Sequence, residues 1–330
     1  MLGLTRRVLV FSVAIAMASI VALTPAPTHA QEPIRIAFGD IASVESLNLL
    51  IAIERTKERG VPVEITFFNS EDVAAQAVVS GQADIGVGAP YAFIQYSDAP
   101  IRMFFRMSTL LFFPVVNSEV YDDWEDLDGQ EVAVHSRGSG TEALMRLMED
   151  IHGIEYSNIS YIPGAEVRAG ALLQGTINAS IVDSAAWRLL EAEGGGKFKR
   201  LPLEGVNATD EALYAMADFL DSREDDVVVL VEELLRTWKE IAGNPDVVAE
   251  LREQYDLLAD LPAEVETDVV QYYSEAVEGG VFPLDGGSPE DATDDFAFLA
   301  AAGALEGEPG SLAPKDFWDF DAVNRAREAE

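Results

Sequence analysis

Four segments rich in glycine, hydroxyl and acidic residues lie where a predicted strand gives way to a predicted helix, at 39–43, 88–91, 136–141 and 183–187. In an open parallel sheet, small ligands bind beyond the carboxyl ends of the strands, at helix N-termini. The segments therefore predict a small-molecule site. Its candidate residues are Asp40, Ile41, Ser43, Gly88, Ala89, Tyr91, Ser136, Arg137, Gly138, Ser139, Gly140, Thr141, Asp183, Ser184 and Trp187.

The segment 136–141 offers the most to a ligand. Gly138 and Gly140 let the backbone approach a ligand closely, and the hydroxyls of Ser139 and Thr141 can donate or accept hydrogen bonds. Any strand-to-helix turn prefers the same residue types. Ligand contact is favoured because the four segments come as matched pairs from two similar units, which should face each other across a cleft.

The charged candidates leave the sign of the ligand's charge open. Arg137 or Arg168 could hold a carboxylate or sulfonate through two hydrogen bonds. Arg168 also fits a solvated helix position. Asp40 and Asp183 would instead favour an amine or a heterocyclic N–H donor, unless they serve as helix N-caps.

Two aromatic candidates, Tyr91 and Trp187, lie near the predicted helix starts. Either ring could stack on a flat or apolar ligand. An aromatic side chain on a helix belongs more commonly to the core, so both interpretations stay open.

Residue patterns of catalysis and metal binding are missing from the sequence. The chain has no cysteine, which excludes disulfides, thiolate metal sites and a cysteine nucleophile. His135 and His152 are too few for a histidine metal site, and we interpret both as ordinary strand or surface residues. Residues 138–141 lack the lysine and the spacing of a phosphate-binding loop. We therefore expect a binding protein with no enzymatic activity, cofactor or metal.

Alternating strands and helices fill the first two thirds of the chain. Strands are predicted at 34–38, 63–68 and 83–87, and again at 131–134, 159–162 and 177–182, with helices between them. Residues 77–84 align with 171–178, each copy comprising a helix end, a glycine C-cap and a strand start. The pattern predicts a duplicated unit built on a parallel sheet with crossover helices.

The segments outside the two units complete the predicted architecture. Apolar residues at 102–118 and 212–220 predict two strands that cross between the units, and four helical segments follow from 227 to 302. The fold class is α/β: two doubly wound lobes, a hinge of two crossing strands and a helical C-terminal segment. We expect lobe 1 at 31–115 with 216–330, and lobe 2 at 116–215.

The N-terminal sequence predicts that the protein is exported, and the net charge bears on its partners. Arg6 and Arg7, an apolar run at 8–23 and the small residues Thr28 and Ala30 are typical of a cleaved signal peptide spanning 1–30. An uncleaved anchor is the alternative, and the arginine pair leaves the export route open. A net charge of −36 disfavours nucleic acid and anionic lipid as partners. We expect a periplasmic monomer without direct membrane insertion.

Several segments resemble the type II periplasmic solute-binding proteins, in the group of sulfonate, nitrate, taurine and thiamine-precursor receptors. The likeness lies in 34–38, 81–86, 127–134 and 172–182. Residues 138–142 also resemble the TAXI receptors of TRAP transporters. Asn178 departs from the family pattern, which usually has an acid there.

The resemblance implies a receptor that closes around a small organic molecule, such as a sulfonate, a carboxylate or a pyrimidine, and delivers it to the permease of an ABC-type importer. Three alternatives stay open. The chain could be a TAXI-type receptor, an enzyme on the same fold, or the partner of a membrane sensor.

Overall fold

The computed structural model describes residues 31–97, 99–203, 207–260 and 263–329. The predicted signal peptide, 1–30, lies outside the described residues. Residues Glu32–Glu330 form one compact unit, and it contains two separate sheets.

Ten strands build the two sheets. They are β1 Ile34–Phe38, β2 Val63–Phe67, β3 Ile85–Gly88, β4 Ile101–Arg106, β5 Phe113–Asn117, β6 Glu131–Val134, β7 Asn158–Tyr161, β8 Ala179–Val182, β9 Phe198–Arg200 and β10 Ala212–Met216. The six strands predicted in the two repeated units all form, each within two residues of its predicted limits.

The two sheets have equivalent topologies. The first has the strand order β2-β1-β3-β10-β4 and the second the order β7-β6-β8-β5-β9. In each sheet the first three strands of the order are parallel, and a strand that follows a crossing between the sheets, β10 or β5, is inserted antiparallel beside the third. We call the sheets, with the helices packed on them, lobe 1 and lobe 2. The predicted duplication in an α/β fold is confirmed.

Thirteen helices surround the sheets in the described part of the chain. They are α1 Leu47–Glu58, α2 Glu71–Val79, α3 Tyr91–Tyr96, α4 Gly140–His152, α5 Ala165–Leu173, α6 Ser184–Glu193, α7 Ala217–Ser222, α8 Glu224–Gly243, α9 Val247–Tyr255, α10 Ala263–Glu278, α11 Pro289–Ala301, α12 Pro314–Phe317 and α13 Asp321–Glu328. Short 3₁₀ turns occur at Val44–Ser46, Trp124–Leu127 and Pro309–Ser311. None of these helices combines the length and the apolar character needed to cross a membrane.

Matched positions in the two lobes show how one backbone plan accepts different side chains. In lobe 1, Gly86 pairs with Tyr214 on the inserted strand, and a Cβ at Gly86 would lie 2.1 Å from the tyrosine ring. In lobe 2 the equivalent pair is Ser180 with Val115. The small residue therefore matches the size of its cross-strand partner in each sheet.

Two crossing segments join the lobes, and hydrogen bonds tie the segments together. The first crossing, 107–112, links β4 to β5. The described residues 207–211 belong to the return crossing, which leads into β10. Thr109 bridges Thr209, Leu110 N–H donates to Ala208 O at 2.8 Å, and Met107 N–H donates to Glu211 O at 2.8 Å.

The sheets define the crossings more narrowly than the sequence does. The segment 212–220, predicted to cross, forms β10 within the lobe 1 sheet and then enters α7. Likewise Phe113–Asn117 belongs to the lobe 2 sheet. The lobe boundaries predicted from the sequence, 115/116 and 215/216, remain a proposal. Each would shift by a few residues if the lobes were defined by the strands of their sheets.

Helix α8 extends the core of lobe 1. Its side chains, including Trp238, pack with those of α1 and β4 in one apolar cluster. Trp238 Nε1 donates to Met107 O at 2.8 Å, at the start of the first crossing. Helix α11 instead packs in a cluster that also contains lobe 2 residues such as Leu144, so the assignment of the whole tail to lobe 1 remains a proposal.

Candidate functional site

Three adjoining small cavities lie between the lobes, with volumes of about 20, 30 and 10 Å³. Glu45 lines all three, Asp210 and Phe112 line the first two, and Tyr272 lines the first and third. We call the three together the acid cleft. Its walls come from both lobes, from both crossings and from α10, so a solute there would contact every part of the hinge.

Lobe 1 contributes the loops after β1 and β3. Asp40 Oδ1 accepts a hydrogen bond from Ile41 N–H at 2.6 Å, and burial raises the pKa of Asp40. Glu71, the first residue of α2, accepts a hydrogen bond from Ala89 N–H at 2.8 Å. Burial raises the pKa of Glu71 to about 8.

A glycine is needed where the Glu71 carboxyl group crosses the end of β3. Gly88 has φ +146°, and a Cβ there would lie 2.7 Å from Glu71 Oε2. A larger residue at this position would therefore displace the carboxyl group from the cleft.

Lobe 2 contributes the loop between β6 and α4, which is internally hydrogen-bonded. Ser139 Oγ donates to Ser136 O at 2.8 Å and accepts from Glu142 N–H at 3.3 Å, as an N-cap does. Thr141 Oγ1 lies 2.9 Å from Ser139 Oγ and accepts from His135 N–H at 3.1 Å. Ser139 and Thr141 both line the acid cleft. The loop therefore forms a rigid wall.

Gly140 allows both crossings to approach this loop. A Cβ at Gly140 would lie 2.5 Å from Leu110 Cδ1 and 3.3 Å from Asp210 Oδ1. The second glycine of the segment thus serves contact with the hinge.

His135 makes a hydrogen bond between the lobes. Its Nε2 lies 3.2 Å from Gly39 O, and its Nδ1 lies 3.5 Å from Asp40 Oδ2. Burial, followed by the charge of Arg168, lowers the pKa of His135 to about 4, so the ring is neutral at physiological pH. With Gly39 O as the acceptor, the proton must sit on Nε2, which leaves Nδ1 as an acceptor facing Asp40. The sequence-based interpretation of His135 as an ordinary strand residue missed this role.

Arg168, the other basic candidate, is fully buried in lobe 2 with 2% of its surface exposed. Its Nε donates to Ile181 O and its Nη1 to Ile162 O, each at 2.9 Å. The charges of Asp40 and Asp183 favour the charged guanidinium, whereas burial lowers its pKa. Arg168 therefore holds strand ends together beneath the cleft, and the solvated position considered for it is wrong.

The crossings and α10 supply acids that the sequence did not single out. Asp210 and Glu211 lie on the return crossing, and Glu45 lies on the 3₁₀ turn before α1. Burial raises the pKa of Asp210 to about 7 and holds those of Glu45 and Glu211 well above their usual range. Tyr273 of α10 fixes the Glu45 turn, because its hydroxyl donates to Val44 O at 2.9 Å.

Four further candidates lie at the cleft or at the lobe interface beside it. Asp183 caps α6 by accepting from Ala186 N–H at 2.8 Å, and Asp183 and Ser184 both line the cleft. Ile41 lies at the lobe interface, since a Cβ at Gly164 would lie 2.7 Å from Ile41 Cδ1. Ser43 N–H donates to Ser46 Oγ at 3.4 Å in the turn that carries Glu45.

Two aromatic candidates lie away from the acid cleft. Tyr91 is buried against Phe296, and its hydroxyl bonds Asp295, so it belongs to the core. Trp187 carries the Arg200 guanidinium over its ring at 5.0 Å and lines none of the cavities. We therefore leave both residues out of the proposed site.

A larger cavity of about 290 Å³ lies on the other side of Glu71. Its lining includes Ala89 from lobe 1 and Arg137 and Gly138 from lobe 2. The Arg137 guanidinium lies 5.2 Å from the centre of the Tyr161 ring. Arg137 thus faces this outer cavity and not the acid cleft.

The arrangement suits binding by charge and hydrogen bonds. Within the described ranges, no group of three or more histidine, cysteine or acidic residues is placed to hold a metal ion. A small solute would meet carboxyl groups, the hydroxyls of the β6–α4 loop and two aromatic rings, Phe112 and Tyr272.

Solved structures with the same fold cover nearly the whole chain. A protein from Bordetella bronchiseptica RB50 is 22% identical, with a TM-score of 0.72 over 91% of this chain and 98% of that one. The periplasmic nitrate-binding protein NrtA from Synechocystis PCC 6803 is 14% identical, with a TM-score of 0.69 over 90% and 89%. The alkanesulfonate-binding protein SsuA from Xanthomonas axonopodis pv. citri, bound to MOPS, is 18% identical, with a TM-score of 0.65 over 88% and 99%.

These similarities confirm the predicted fold class, the two-lobed α/β fold of type II periplasmic binding proteins. Comparison with curated protein sequences gave no significant match. The family model described as NMT1/THI5 like matches residues 46–248, more than half of the 330 residues. The chain belongs to the NMT1/THI5-like family.

Proposed function

We propose that this protein is the exported solute-binding receptor of an ABC-type importer. It captures a small organic molecule between its lobes and hands it to a membrane permease. One observation carries the proposal: the strand-end loops of two matched sheets line a common cleft, across which His135 of lobe 2 bonds Gly39 of lobe 1. A cleft walled by both lobes gives a solute more contacts in the closed state than in an open one, which is how a solute drives closure.

The solved structures of the same fold support a role in transport. Two of them are named for binding alkanesulfonate and nitrate, and the second is called periplasmic. We extend the role of solute capture and the periplasmic location to this chain, together with the sequence-based expectation of a cleaved signal peptide and a monomer. A TRAP-type receptor would have the same lobes, and uptake assays with and without ATP would separate the two classes.

A thermal-shift screen tests the proposal. At about 100 times its dissociation constant, a bound solute adds about 2.7 kcal/mol to the free energy of unfolding. A hit should be recovered chemically unchanged after prolonged incubation, as mass spectrometry can verify, whereas an enzyme would convert it.

A bulky variant tests the location of the site. Ser139→Trp places an indole in the cleft wall, and we expect it to abolish the solute-dependent shift. Ser288→Trp is the matched control, because Ser288 caps α11 and lines none of the three cavities. Circular dichroism of both variants verifies folding. Unchanged affinity in a folded Ser139→Trp variant would remove this loop from the site.

A further inference from the structure

The acid cleft has a large excess of carboxyl groups. Among the described residues, six acids and one guanidinium group line its three cavities. The acids are Asp40, Glu45, Glu71, Asp183, Asp210 and Glu211, and the guanidinium group is that of Arg168. His135 contributes no positive charge, because burial lowers its pKa to about 4. Burial raises the pKa values of Glu45, Asp210 and Glu211, and a cation bound among them would favour their charged forms, whereas an anion would gain only the one guanidinium group.

The six acids fall into two groups. Asp40, Glu71 and Asp183 each accept a hydrogen bond from a backbone N–H at 2.6 to 2.8 Å. The side chains of Glu45, Asp210 and Glu211 form no hydrogen bond or ion pair within the described part of the chain. All three residues are only partly exposed, and carboxyl groups withdrawn from bulk water normally have such partners, because desolvation without one is unfavourable.

A second, independent observation lies beside these three acids. Tyr272 is only 7% exposed, and its hydroxyl has no hydrogen-bond partner in the ranges that the structure describes. It lines two of the cavities together with Glu45. The neighbouring Tyr273 is fully bonded, because its hydroxyl donates to Val44 O and accepts from Asn48 N–H at 3.0 Å. The Tyr272 hydroxyl is thus left to face the cleft.

Aromatic rings next to the unpaired acids complete the recognition chemistry. Phe112 lines two of the three cavities, both of which include Asp210, and Tyr272 also lines two, both of which include Glu45. An organic cation gains from carboxylates on one side and from the face of an aromatic ring on the other. A metal ion would use only the oxygens.

Arg168 does not reverse this balance. Two of its nitrogens are bonded to the carbonyls of Ile162 and Ile181. Its charge interacts with those of Asp40, Asp183 and Glu166, and also with Asp210. One guanidinium group offsets only one of the six acids that line the cleft, so the acids remain in excess.

We infer that the solute of this cleft is a small organic cation, whose charged group lies among Glu45, Asp210 and Glu211 and whose apolar part contacts Phe112 and Tyr272. The inference rests on the proposed function, since it names the solute class of the same cleft. The cation class includes ammonium, quaternary ammonium and protonated amino-heterocycle groups.

A charge-matched set of probes tests the inference by calorimetry in low salt at pH 8. Putrescine, 1,4-butanediol and succinate share a four-carbon chain but are cationic, neutral and anionic. Choline and 4-aminopyridine represent the other two cation types, and ethanesulfonate and nitrate represent other anions. We expect saturable binding of at least one cation and none of the anions.

Variants place the binding cation in the cleft. Glu211→Gln and Asp210→Asn should each weaken binding of the cation that binds best by tenfold or more. Glu278→Gln, an exposed change at the end of α10, should leave the affinity within twofold. Equal affinity in all three variants would overturn the assignment of the charged group.

Native mass spectrometry of protein purified without refolding separates failure of the inference from failure of the proposed function. A cationic co-purified solute, displaced in Glu211→Gln, supports the inference. A bound anion, or calorimetric binding of succinate, ethanesulfonate or nitrate with no cation binding, overturns the cationic solute and leaves the receptor intact. No retained solute and no binding of any probe would count against both.

Discussion

The first turns of two matched helices, α2 in lobe 1 and α5 in lobe 2, carry opposite charges at different positions. The alignment of 77–84 with 171–178 makes Glu71 the counterpart of Ala165, and Arg168 the counterpart of Ala74. In lobe 1 the Glu71 carboxyl group accepts a backbone N–H after β3. In lobe 2 the Arg168 guanidinium donates to carbonyls at the ends of β7 and β8. The two lobes share a backbone fold. In lobe 1 a carboxyl group bonds the backbone at a strand end, and in lobe 2 a guanidinium group does so.

The difference teaches where to look for function in a duplicated fold. Interactions that both lobes need, such as helix caps and strand-end hydrogen bonds, are made within each lobe. The unpaired acids Asp210 and Glu211 lie on the return crossing, which joins the two copies. The unpaired acids that distinguish this chain are therefore found mainly at the junction of the repeats.

Removing the Arg168 guanidinium group from lobe 2 should have the largest effect on stability. Arg168→Leu leaves the carbonyls of Ile162 and Ile181 without donors and leaves Asp40 and Asp183 without their counter-charge. We expect a loss of about 3 kcal/mol in the free energy of unfolding, measured by urea denaturation. Arg146→Leu, an exposed arginine on α4, should cost less than about 0.5 kcal/mol. Equal losses would contradict the role of Arg168.

Replacing the Gly86–Tyr214 pair of lobe 1 by the residues of the matching lobe 2 pair should have the next largest effect on stability. Gly86→Ser in lobe 1 places its Cβ 2.1 Å from the Tyr214 ring, and we expect a loss of about 2 kcal/mol. Adding Tyr214→Val should recover much of it, because that double variant copies the Ser180–Val115 pair of lobe 2. A double variant no more stable than Gly86→Ser alone would show that the sheets are not interchangeable at this point.

The acids at the hinge should respond to pH in a defined direction. Burial raises the pKa of Asp210 to about 7 from an ordinary value of 3.8, and Asp40 and Asp183 raise it further while Arg168 opposes them. The protonated form is thus favoured in the folded state, and its contribution to stability is lost as pH rises from about 4 to 7.

Asp210→Asn mimics the protonated carboxyl group. Without solute it should be more stable than the wild type by about 1 kcal/mol at pH 8, with the gap closing as pH falls from 7 towards 4. Thermal melts across this range measure the gap. The exposed change Asp218→Asn serves as the control, and a pH-independent gap in Asp210→Asn would contradict the assignment.

The smallest effect is expected at Trp187, in contrast to Phe112. Trp187→Ala should leave solute affinity within twofold, because Arg200 covers the ring and the residue lines none of the cavities. Phe112→Ala should weaken binding about tenfold, since Phe112 lines two of them. Calorimetry with the same probe on both variants measures the contrast, and the reverse order of effects would move the site towards α6.

The sequence predicts the repeated framework well because periodicity and caps are local signals. The strand limits 34–38 and 131–134 agree with the structure, and the glycines at 81 and 175 both adopt positive φ, +73° and +70°, as C-cap positions require. The segment 136–141 was found for the same reason, since its serine, threonine and glycine residues report a strand-to-helix turn.

The acids and rings of the cleft could not be found that way. Glu45, Asp210 and Tyr272 come from three distant parts of the chain, and only the packing of α10 and the crossings brings them together. Because the chain has 58 acidic residues, the presence of an acid at a given position does not indicate a binding site. The only available hint was the adjacent pair Asp210 and Glu211 directly before β10.

The hydrogen bonds between the crossings have a mechanical consequence. Met107 N–H and Ser108 N–H both donate to Glu211 O, at 2.8 and 3.2 Å, so the backbone beneath the acid cleft is a short ribbon and not two independent links. A change in the angle between the lobes must therefore bend both segments together. We expect the lobes to open and close about this ribbon as a single hinge, without sliding past each other.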